Sequence, residues 1–218
     1  MDTRQQWKKQ MKNPWETIRL NDYEEHMSFD SVRQLQAMNA IMKEQFAAYD
    51  VHTAMVLGIA GGNGLEHVDP EKYRTVYGID INDEYIKAVR NRYAFLGEAL
   101  KCLRMDIVKE AQSLPKAELV IANLLIEYIG YPAFQKTVRQ TEAQYVSCVI
   151  QINRDEKTWV SDSPYLHVFD GLDTIHHPIE EGALTAAMNE IGYERILQSS
   201  TELPNGKALA RLDYRKKE

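Results

Sequence analysis

The 218-residue sequence is poor in cysteine and contains no long apolar run. Its two cysteines, Cys102 and Cys148, lie far apart, so the sequence shows neither a disulfide framework nor a cysteine-rich metal motif. A membrane-spanning helix needs about 18 or more consecutive apolar residues, and no such run occurs. The N-terminal stretch MDTRQQWKKQ also lacks the apolar centre of a signal peptide. We therefore expect a cytoplasmic protein with neither a metal site nor a membrane partner.

An excess of positive charge is missing as well. Aspartate and glutamate number 32 against 26 lysines and arginines, which gives a formal net charge of −6. Proteins that bind nucleic acid usually carry a basic face, so the composition argues against such a partner and favours a small molecule. Basic residues do concentrate at the two ends of the chain, among them Arg4, Lys8, Lys9, Arg215, Lys216 and Lys217. Solvated termini commonly have this composition.

Apolar runs that read as strands alternate with helical patterns from residue 53 onward. Five strands are predicted in the stretches TAMVLGIA, TVYGID, LKCLRMD, AELVIANL and YVSCVIQIN. Strands that are apolar throughout are expected where helices cover both faces of a parallel sheet. Two further strand-like runs flank Pro204, Asn205 and Gly206, which favour a hairpin turn. The sequence thus predicts an α/β fold with a doubly wound, mostly parallel seven-stranded sheet whose last strand is antiparallel.

The first 50 residues have a different character and are expected to form a helical cap or lid on a domain that spans residues 51–218. Within them, SFDSVRQLQAMNAIMKEQFAAY carries one apolar stripe at helical spacing, which predicts a long helix capped by Ser28 or Asp30. The preceding stretch DYEEHM, with Tyr23 and His26, has the composition of an amphipathic helical turn. We expect a single globular unit overall, and the sequence assigns no oligomeric state.

A glycine-rich stretch, VLGIAGGNGLEH, follows the first predicted strand and is expected to open a helix. In open parallel sheets, ligands bind beyond the carboxyl ends of the strands, where the strand order reverses. Glycines let the backbone approach a ligand closely, and the amides of a helix start offer unpaired donors. Only Gly58, Gly61 and Gly64 approach the spacing of a dinucleotide fingerprint, so an NAD-binding turn fits poorly.

The same stretch resembles the first motif of the class I S-adenosylmethionine-dependent methyltransferases, an acidic residue followed by three glycines at alternate positions. It aligns as Gly58, Ala60, Gly62 and Gly64, so Ala60 stands for the first glycine and Gly58 stands where the acid is usual. In the family that acid commonly helps to hold the amino group of the cofactor. The resemblance implies that S-adenosyl-L-methionine is the cofactor and that these four residues contact it.

Three further motifs follow in the order of the family and extend the resemblance over roughly residues 50 to 215. In YGIDIN, it implies that Asp80, with Ile81 beside it, accepts hydrogen bonds from the ribose hydroxyls. In RMDI, it implies that Asp106 and the amide of Ile107 meet the adenine. In ELVIANLLIEYIG, it implies that Asn123, followed by Leu124, faces the methionine part. The terminal hairpin also matches the family, which has an antiparallel seventh strand.

Transfer of a methyl group from a sulfonium depends mainly on alignment, and it needs a base only if the acceptor must lose a proton. By the resemblance, Glu127 and Tyr128 lie on the loop that borders the transferred methyl group. His176 precedes the last predicted helix, in a segment that should rim the pocket. Packing or surface roles are the alternatives for all three.

The resemblance also implies that the N-terminal segment, with Tyr23 and His26, folds over the cofactor as a lid, and an amphipathic turn is the alternative. Trp159 and Tyr165 belong to a long connection that forms either a wall for an apolar or aromatic substrate or a satellite core.

The leading hypothesis is a methyltransferase that acts on a small molecule. A methyltransferase for RNA or protein is the first alternative, with the basic ends as its contact surface. Against methylation of base amino groups stands the fourth motif, which reads Asn123, Leu124, Leu125, Ile126 and lacks the prolines and aromatic residue of the base-methylating members. A module that binds the cofactor without catalysis is the second alternative, and the missing acid at Gly58 motivates it. A nicotinamide-dependent oxidoreductase is the third, disfavoured by the glycine spacing and the terminal hairpin.

Overall fold

The computed structural model describes residues 12–153 and 159–218, and within them seven strands form one sheet of order β3-β2-β1-β4-β5-β7-β6. The strands β1 to β5 are parallel, and β7 runs antiparallel between β5 and β6. Their bounds are β1 Thr53–Leu57, β2 Thr75–Asp80, β3 Leu100–Arg104, β4 Leu119–Asn123, β5 Tyr145–Ile152, β6 Tyr193–Glu202 and β7 Ala208–Lys216. The predicted Rossmann-like sheet with its antiparallel last strand is confirmed.

Helices cover both faces of this sheet, as its apolar strands require. They are α1 Leu20–Ser28, α2 Gln34–Ala47, α3 Asp83–Arg92, α4 Ile107–Glu110, α5 Ile126–Thr141 and α6 Glu181–Glu190. One buried core joins the sheet to α5 and α6 through residues such as Phe134, Val138 and Leu184. The other joins the opposite face to α2 and α3 through Met38, Met42 and Phe46, among others. The N-terminal helix α2 therefore belongs to the second of these two cores.

The strand order reverses between β1 and β4, which are neighbours in the sheet. β1 is followed by the glycine turn, and β4 ends at Asn123. Asp80 ends β2 on the next strand along. Because the carboxyl ends of parallel strands meet at one edge, the predicted cofactor residues converge there.

Two local predictions were wrong. Helix α2 begins at Gln34, after Arg33 in a left-handed conformation with φ 49°, and Ser28 instead ends α1, so neither Ser28 nor Asp30 caps α2. The glycine turn opens no α-helix either, since only the short 3-10 turn Leu65–His67 follows it. The reason is steric, because α2 already occupies the face of the sheet over this crossover.

Parts of some predictions lie outside the described residues, namely Arg4, Lys8 and Lys9 of the basic N-terminal end, the first 11 residues of the predicted cap, and residues 154–158 of the long connection. Within residues 12–153 and 159–218, no helix is both long and apolar enough to cross a membrane. In the same part of the chain, no group of three or more histidine, cysteine, aspartate or glutamate side chains is arranged to hold a metal ion.

Candidate functional site

The backbone of the glycine turn is left-handed at every second residue. The φ angles are +67° at Gly58, +46° at Ala60, +83° at Gly62 and +93° at Gly64. An L-residue in this conformation costs roughly 1–2 kcal/mol, which explains the spacing of the glycines. Ala60 adopts it with the smallest possible side chain, so the motif keeps its backbone shape despite the substitution.

The later glycines of the turn are needed for packing. A β-carbon on Gly64 would lie 2.5 Å from Cβ of Met42 in α2, and one on Gly62 would lie 2.5 Å from the ring of Tyr93. Neither glycine lines the cavities described below, whereas Gly58 and Ala60 both line one of them. Gly58 and Ala60 thus lie at a cavity wall, whereas Gly62 and Gly64 pack against Tyr93 and Met42.

A cavity of about 90 Å³ lies where β1, β2 and β4 end, and we call it the glycine-turn cavity. Its walls include eight of the ten predicted cofactor residues, Gly58, Ala60, Asp80, Ile81, Asp106, Ile107, Asn123 and Leu124. Apolar side chains such as Ile79, Met105 and Ile129 form much of the rest. The cavity is covered from the N-terminal segment by Asn13, Trp15 and Tyr23.

Asp80 is the buried acid of this cavity. Its Oδ2 accepts a hydrogen bond from the amide of Ala60 at 2.9 Å, and its Oδ1 accepts one from the amide of Asn82 at 2.8 Å. Burial raises the pKa of the Asp80 carboxyl to about 6, although those amides oppose the shift. Each carboxylate oxygen has two lone pairs, so both oxygens keep capacity for a ligand hydroxyl.

Asp106 lies at the other side of the cavity, at the start of α4. Its Oδ1 accepts the amide of Val108 at 3.1 Å, and its Oδ2 lies 2.6 Å from the ammonium of Lys109. Ile107, the next residue, is buried in the core with its side chain. Asp106 therefore caps a helix in this structure, whatever else it contacts.

Asn123 is held by a partner that the sequence did not reveal. Its amide group pairs with the side-chain amide of Gln45 in both directions, at 2.8 and 2.9 Å. Gln45 also donates to Ser147, which in turn hydrogen-bonds Asp213, and Asp213 pairs with Arg211 at 2.6 Å. This buried chain of polar groups fixes Asn123 against α2. Its one sequence signal is the presence of polar residues within otherwise apolar strands and stripes.

A second cavity, of about 360 Å³, adjoins the first, and we call it the aromatic cavity. The two share Trp15, Tyr23, Leu124 and Tyr128 as lining residues. Further walls of the aromatic cavity come from His26, Gln34, Glu127, Gln151, Trp159, Phe169 and His176, and from Glu180 and Glu181. Its volume lies within the range typical of sites for small ligands, roughly 300–1,000 Å³.

Glu127 is the buried acid of the aromatic cavity, and it is only 6% exposed. Its Oε1 accepts the amide of Gln151 at 3.0 Å, while its Oε2 is buried without a hydrogen-bond partner among the described residues. Burial raises the pKa of the Glu127 carboxyl to about 7. A carboxyl with such a pKa exchanges its proton near neutral pH, as general acids and bases do.

Aromatic rings form a continuous wall beside Glu127. The ring centroids of Trp15 and Tyr128 are 4.9 Å apart, and those of Tyr128 and Trp159 are 6.1 Å apart, both edge to face. Trp159 stacks on His176 at 4.1 Å. Burial raises the pKa of the Tyr128 phenol and lowers that of the His176 imidazole. Trp15, which no sequence motif singled out, thus separates the two cavities together with Tyr23 and Tyr128.

Of the remaining predicted residues, His26 lines the aromatic cavity and Tyr165 does not. His26 is buried at the aromatic cavity, with Nδ1 2.7 Å from the hydroxyl of Ser163, and burial lowers its pKa to about 4. Tyr165 lies outside both cavities, and its hydroxyl donates to Glu25 of α1 at 2.6 Å. Tyr165 therefore joins the long connection to α1, while Trp159 alone of the two faces the aromatic cavity.

No protein-family profile matches the chain, and no curated protein sequence matches it. Solved structures do. Magnesium protoporphyrin IX methyltransferase from Synechocystis, solved with bound S-adenosylhomocysteine, is 10% identical and superposes with a TM-score of 0.65 over 93% of this chain and 96% of its own. The N-methyltransferase NodS from Bradyrhizobium japonicum, in complex with S-adenosylhomocysteine, is 13% identical, with a TM-score of 0.64 over 95% and 100%.

A cyclase has a similar structure as well. The [4+2]-cyclase SpnF is 11% identical and superposes with a TM-score of 0.63 over 85% of this chain and 82% of its own. Identities this low establish shared architecture, while the reaction must be argued from the site. The chain has the Rossmann-like fold of the class I S-adenosylmethionine-dependent methyltransferases.

Proposed function

We propose that the protein is a cytoplasmic methyltransferase that transfers the methyl group of S-adenosylmethionine to a small molecule. The observation that carries this proposal is the pairing of the two cavities. The glycine-turn cavity gathers residues of four ordered motifs, and the adjoining aromatic cavity holds a buried acid, one oxygen of which has no hydrogen-bond partner in the described part of the chain. Such a pair provides one site for a donor and one for an acceptor.

The residues of the glycine-turn cavity fit the donor. Asp80 would accept the ribose hydroxyls on lone pairs that its backbone contacts leave available. The apolar walls beside Asp106 and Ile107 suit an adenine ring, with Asn123 and Leu124 toward the methionine part. When bound, S-adenosylmethionine supplies a methyl group on a sulfonium that already carries an activated leaving group.

The chain's own contribution is to align the acceptor, exclude water and handle a proton. Alignment of two reactants in one site can lower a barrier by up to roughly 7–11 kcal/mol. Trp15, Tyr23, Leu124 and Tyr128 line both cavities, so the methyl group would pass from one cavity to the other beside these residues. Glu127 is placed to accept a proton from an acceptor group, with Tyr128 and His176 as the neighbours that shape its surroundings.

The N-terminal segment acts as a cap in this proposal. Asn13, Trp15 and Tyr23 cover the glycine-turn cavity, and its volume of about 90 Å³ is too small for a nucleoside. Loading of the donor therefore requires these residues to move outward. Glu24 of α1 pairs with Arg92 beside the glycine turn, and this ion pair would hold the cap in its closed position.

One observation favours a non-catalytic module as a second candidate. Gly58 has no side chain where the family carries an acid, and its φ of +67° disfavours any other residue. A β-carbon on Gly58 would also lie 3.1 Å from the side chain of Leu125, which leaves little room for a carboxylate. The absence of an acid at this position is expected of a chain that binds the donor weakly, or that binds it without an acceptor. The left-handed backbone at Gly58 favours glycine over an acidic residue.

The test is formation of S-adenosylhomocysteine from labelled S-adenosylmethionine with three fractions of a cell extract, namely small molecules, RNA and protein. The proposal predicts turnover with the small-molecule fraction, and loss of that turnover in Asp80→Ala. Turnover only with RNA or protein would contradict the acceptor class. Firm binding of the donor without turnover in any fraction would favour the non-catalytic module.

A further inference from the structure

The described charged side chains that line the aromatic cavity are all acidic. Among the described residues that line it, the acids are Glu127, Glu180 and Glu181, and no lysine or arginine is present. Its two histidines, His26 and His176, have lowered pKa values because of burial, so both imidazoles are neutral at pH 7. An anionic ligand would meet only neutral or negative groups in this part of the chain.

One buried cation, Lys207, is hydrogen-bonded to a residue of the cavity wall. The ammonium of Lys207 donates to the backbone carbonyl of Trp159 at 2.8 Å, and the residue is 1% exposed. It does not belong to the lining of the aromatic cavity, although its charge contributes to the low pKa of His26. The described lining itself therefore holds acids and no lysine or arginine.

The walls are the kind that bind organic cations. Five aromatic side chains line the aromatic cavity, Trp15, Tyr23, Tyr128, Trp159 and Phe169. Aromatic faces attract ammonium groups by about 0.5–2 kcal/mol each, more strongly when water is excluded. The same rings stack on flat apolar groups.

Glu127 supplies the point at which such a cation would bind. Its Oε2 is fully buried and has no hydrogen-bond partner among the described residues. A buried carboxyl oxygen without a partner is destabilising, and a ligand N–H would remove that cost. An ammonium beside Glu127 would also favour the ionised carboxylate.

We infer that the acceptor is a primary or secondary amine carried on a flat aromatic or heteroaromatic group, bound as its ammonium against Oε2 of Glu127 in the aromatic cavity. This inference rests on the proposed function. One N–H proton of the ammonium passes to Glu127, which exposes the nitrogen lone pair. The nitrogen–carbon bond that then forms replaces the carbon–sulfur bond of the donor, whose electron pair stays on sulfur. Glu127 returns its proton to water when the product leaves.

Three indoles of nearly equal shape test the inference by calorimetry, with and without saturating S-adenosylhomocysteine. Tryptamine carries an ammonium, tryptophol a neutral hydroxyl and indole-3-propionate a carboxylate. A charge-assisted hydrogen bond predicts that tryptamine binds about 10- to 100-fold more tightly than tryptophol. Indole-3-propionate is expected to bind most weakly.

Proton linkage gives a readout that does not depend on turnover. Glu127 is largely protonated at pH 6 in the free protein, because its pKa is about 7. Tryptamine binding at pH 6 should then release about one proton, seen as a dependence of the heat on the ionisation enthalpy of the buffer. Tryptophol should release none.

Two variants complete the experiment. Glu127→Gln should abolish the proton release and reduce the preference for tryptamine to about threefold or less, while leaving the affinity for S-adenosylhomocysteine unchanged. Glu98→Gln, on an exposed acid that lines neither cavity, should keep both properties. Equal binding of the three indoles, binding of none of them, or an unchanged preference in Glu127→Gln would overturn the inference. Absence of S-adenosylhomocysteine binding would instead overturn the proposed function.

Discussion

Glu127→Gln should stabilise the protein at alkaline pH and have little effect at acid pH. The Glu127 carboxyl has a pKa of about 7 in the folded chain, against 4.5 for an unperturbed glutamate. The folded state therefore holds this proton more tightly than the unfolded state does. Below pH 4.5 both states are protonated and no penalty arises, and stability falls as the pH rises from there through 7.

The magnitude follows from the shift. At about 1.4 kcal/mol for each pKa unit, the full penalty above pH 8 is about 3 kcal/mol, of which about 1 kcal/mol is already present at pH 5. Glutamine cannot ionise, and its amide oxygen can still accept the hydrogen bond from Gln151 that Oε1 receives now. The variant should thus gain about 2 kcal/mol over the wild type between pH 5 and pH 8.

Urea unfolding followed by circular dichroism at pH 5, 6, 7 and 8 measures this difference directly. For a chain of this size, 1 kcal/mol corresponds to roughly 2–4 °C in Tm. The difference in Tm between the variant and the wild type should therefore be about 4–8 °C larger at pH 8 than at pH 5. Glu180→Gln, an exposed acid near the same cavity, is the control and should show no trend with pH. A stability difference for Glu127→Gln that stays constant across this range would refute the assignment of a buried, proton-holding carboxyl.

Two further substitutions test the packing that supports the site. Gly64→Ala should lower the free energy of unfolding in urea by about 2–4 kcal/mol, because φ is +93° and the added methyl group would overlap Met42. The control is Gly182→Ala, in a helix with open space around it, which should be neutral or stabilising by up to about 1 kcal/mol. Equal effects of the two alanines would contradict the steric account. Gln45→Leu should cost about 1–3 kcal/mol by leaving the amide of Asn123 without its partner, while Gln36→Leu, exposed on the same helix, should change stability by about 0.5 kcal/mol or less. A Gln45→Leu variant as stable as the wild type would show that the polar chain is dispensable.

Much of the fold could be predicted from the sequence because its signals are local. Continuous apolar runs such as the one in β4 are what a doubly covered parallel strand requires, and Asn205 and Gly206 predict the hairpin between β6 and β7. The helix expected after the glycine turn does not form, because the space over that crossover is filled by α2 from elsewhere in the chain. No local pattern reveals such competition.

The candidate site divides in the same way. The position of Asp80 at the cavity was predictable, because an acid that ends a strand beside a glycine turn has a fixed place in a parallel sheet. The pairing of Gln45 with Asn123 joins residues 78 positions apart, and the meeting of Trp15 with Tyr128 joins an N-terminal turn to α5. Such contacts depend on tertiary packing, so composition and spacing could not predict them. The burial of Glu127, from which its raised pKa follows, belongs to the same class.

The central claim is that the glycine-turn cavity binds S-adenosylmethionine and its product. Calorimetric titration of the protein with S-adenosylhomocysteine and with NAD, each repeated on Asp80→Ala, tests it most directly. The account predicts saturable one-to-one binding of S-adenosylhomocysteine and no binding of NAD. It also predicts an affinity for S-adenosylhomocysteine at least about tenfold weaker in Asp80→Ala, since the variant lacks the carboxylate proposed to accept the ribose hydroxyls. Binding of NAD alone, or an affinity for S-adenosylhomocysteine that does not depend on Asp80, would contradict it.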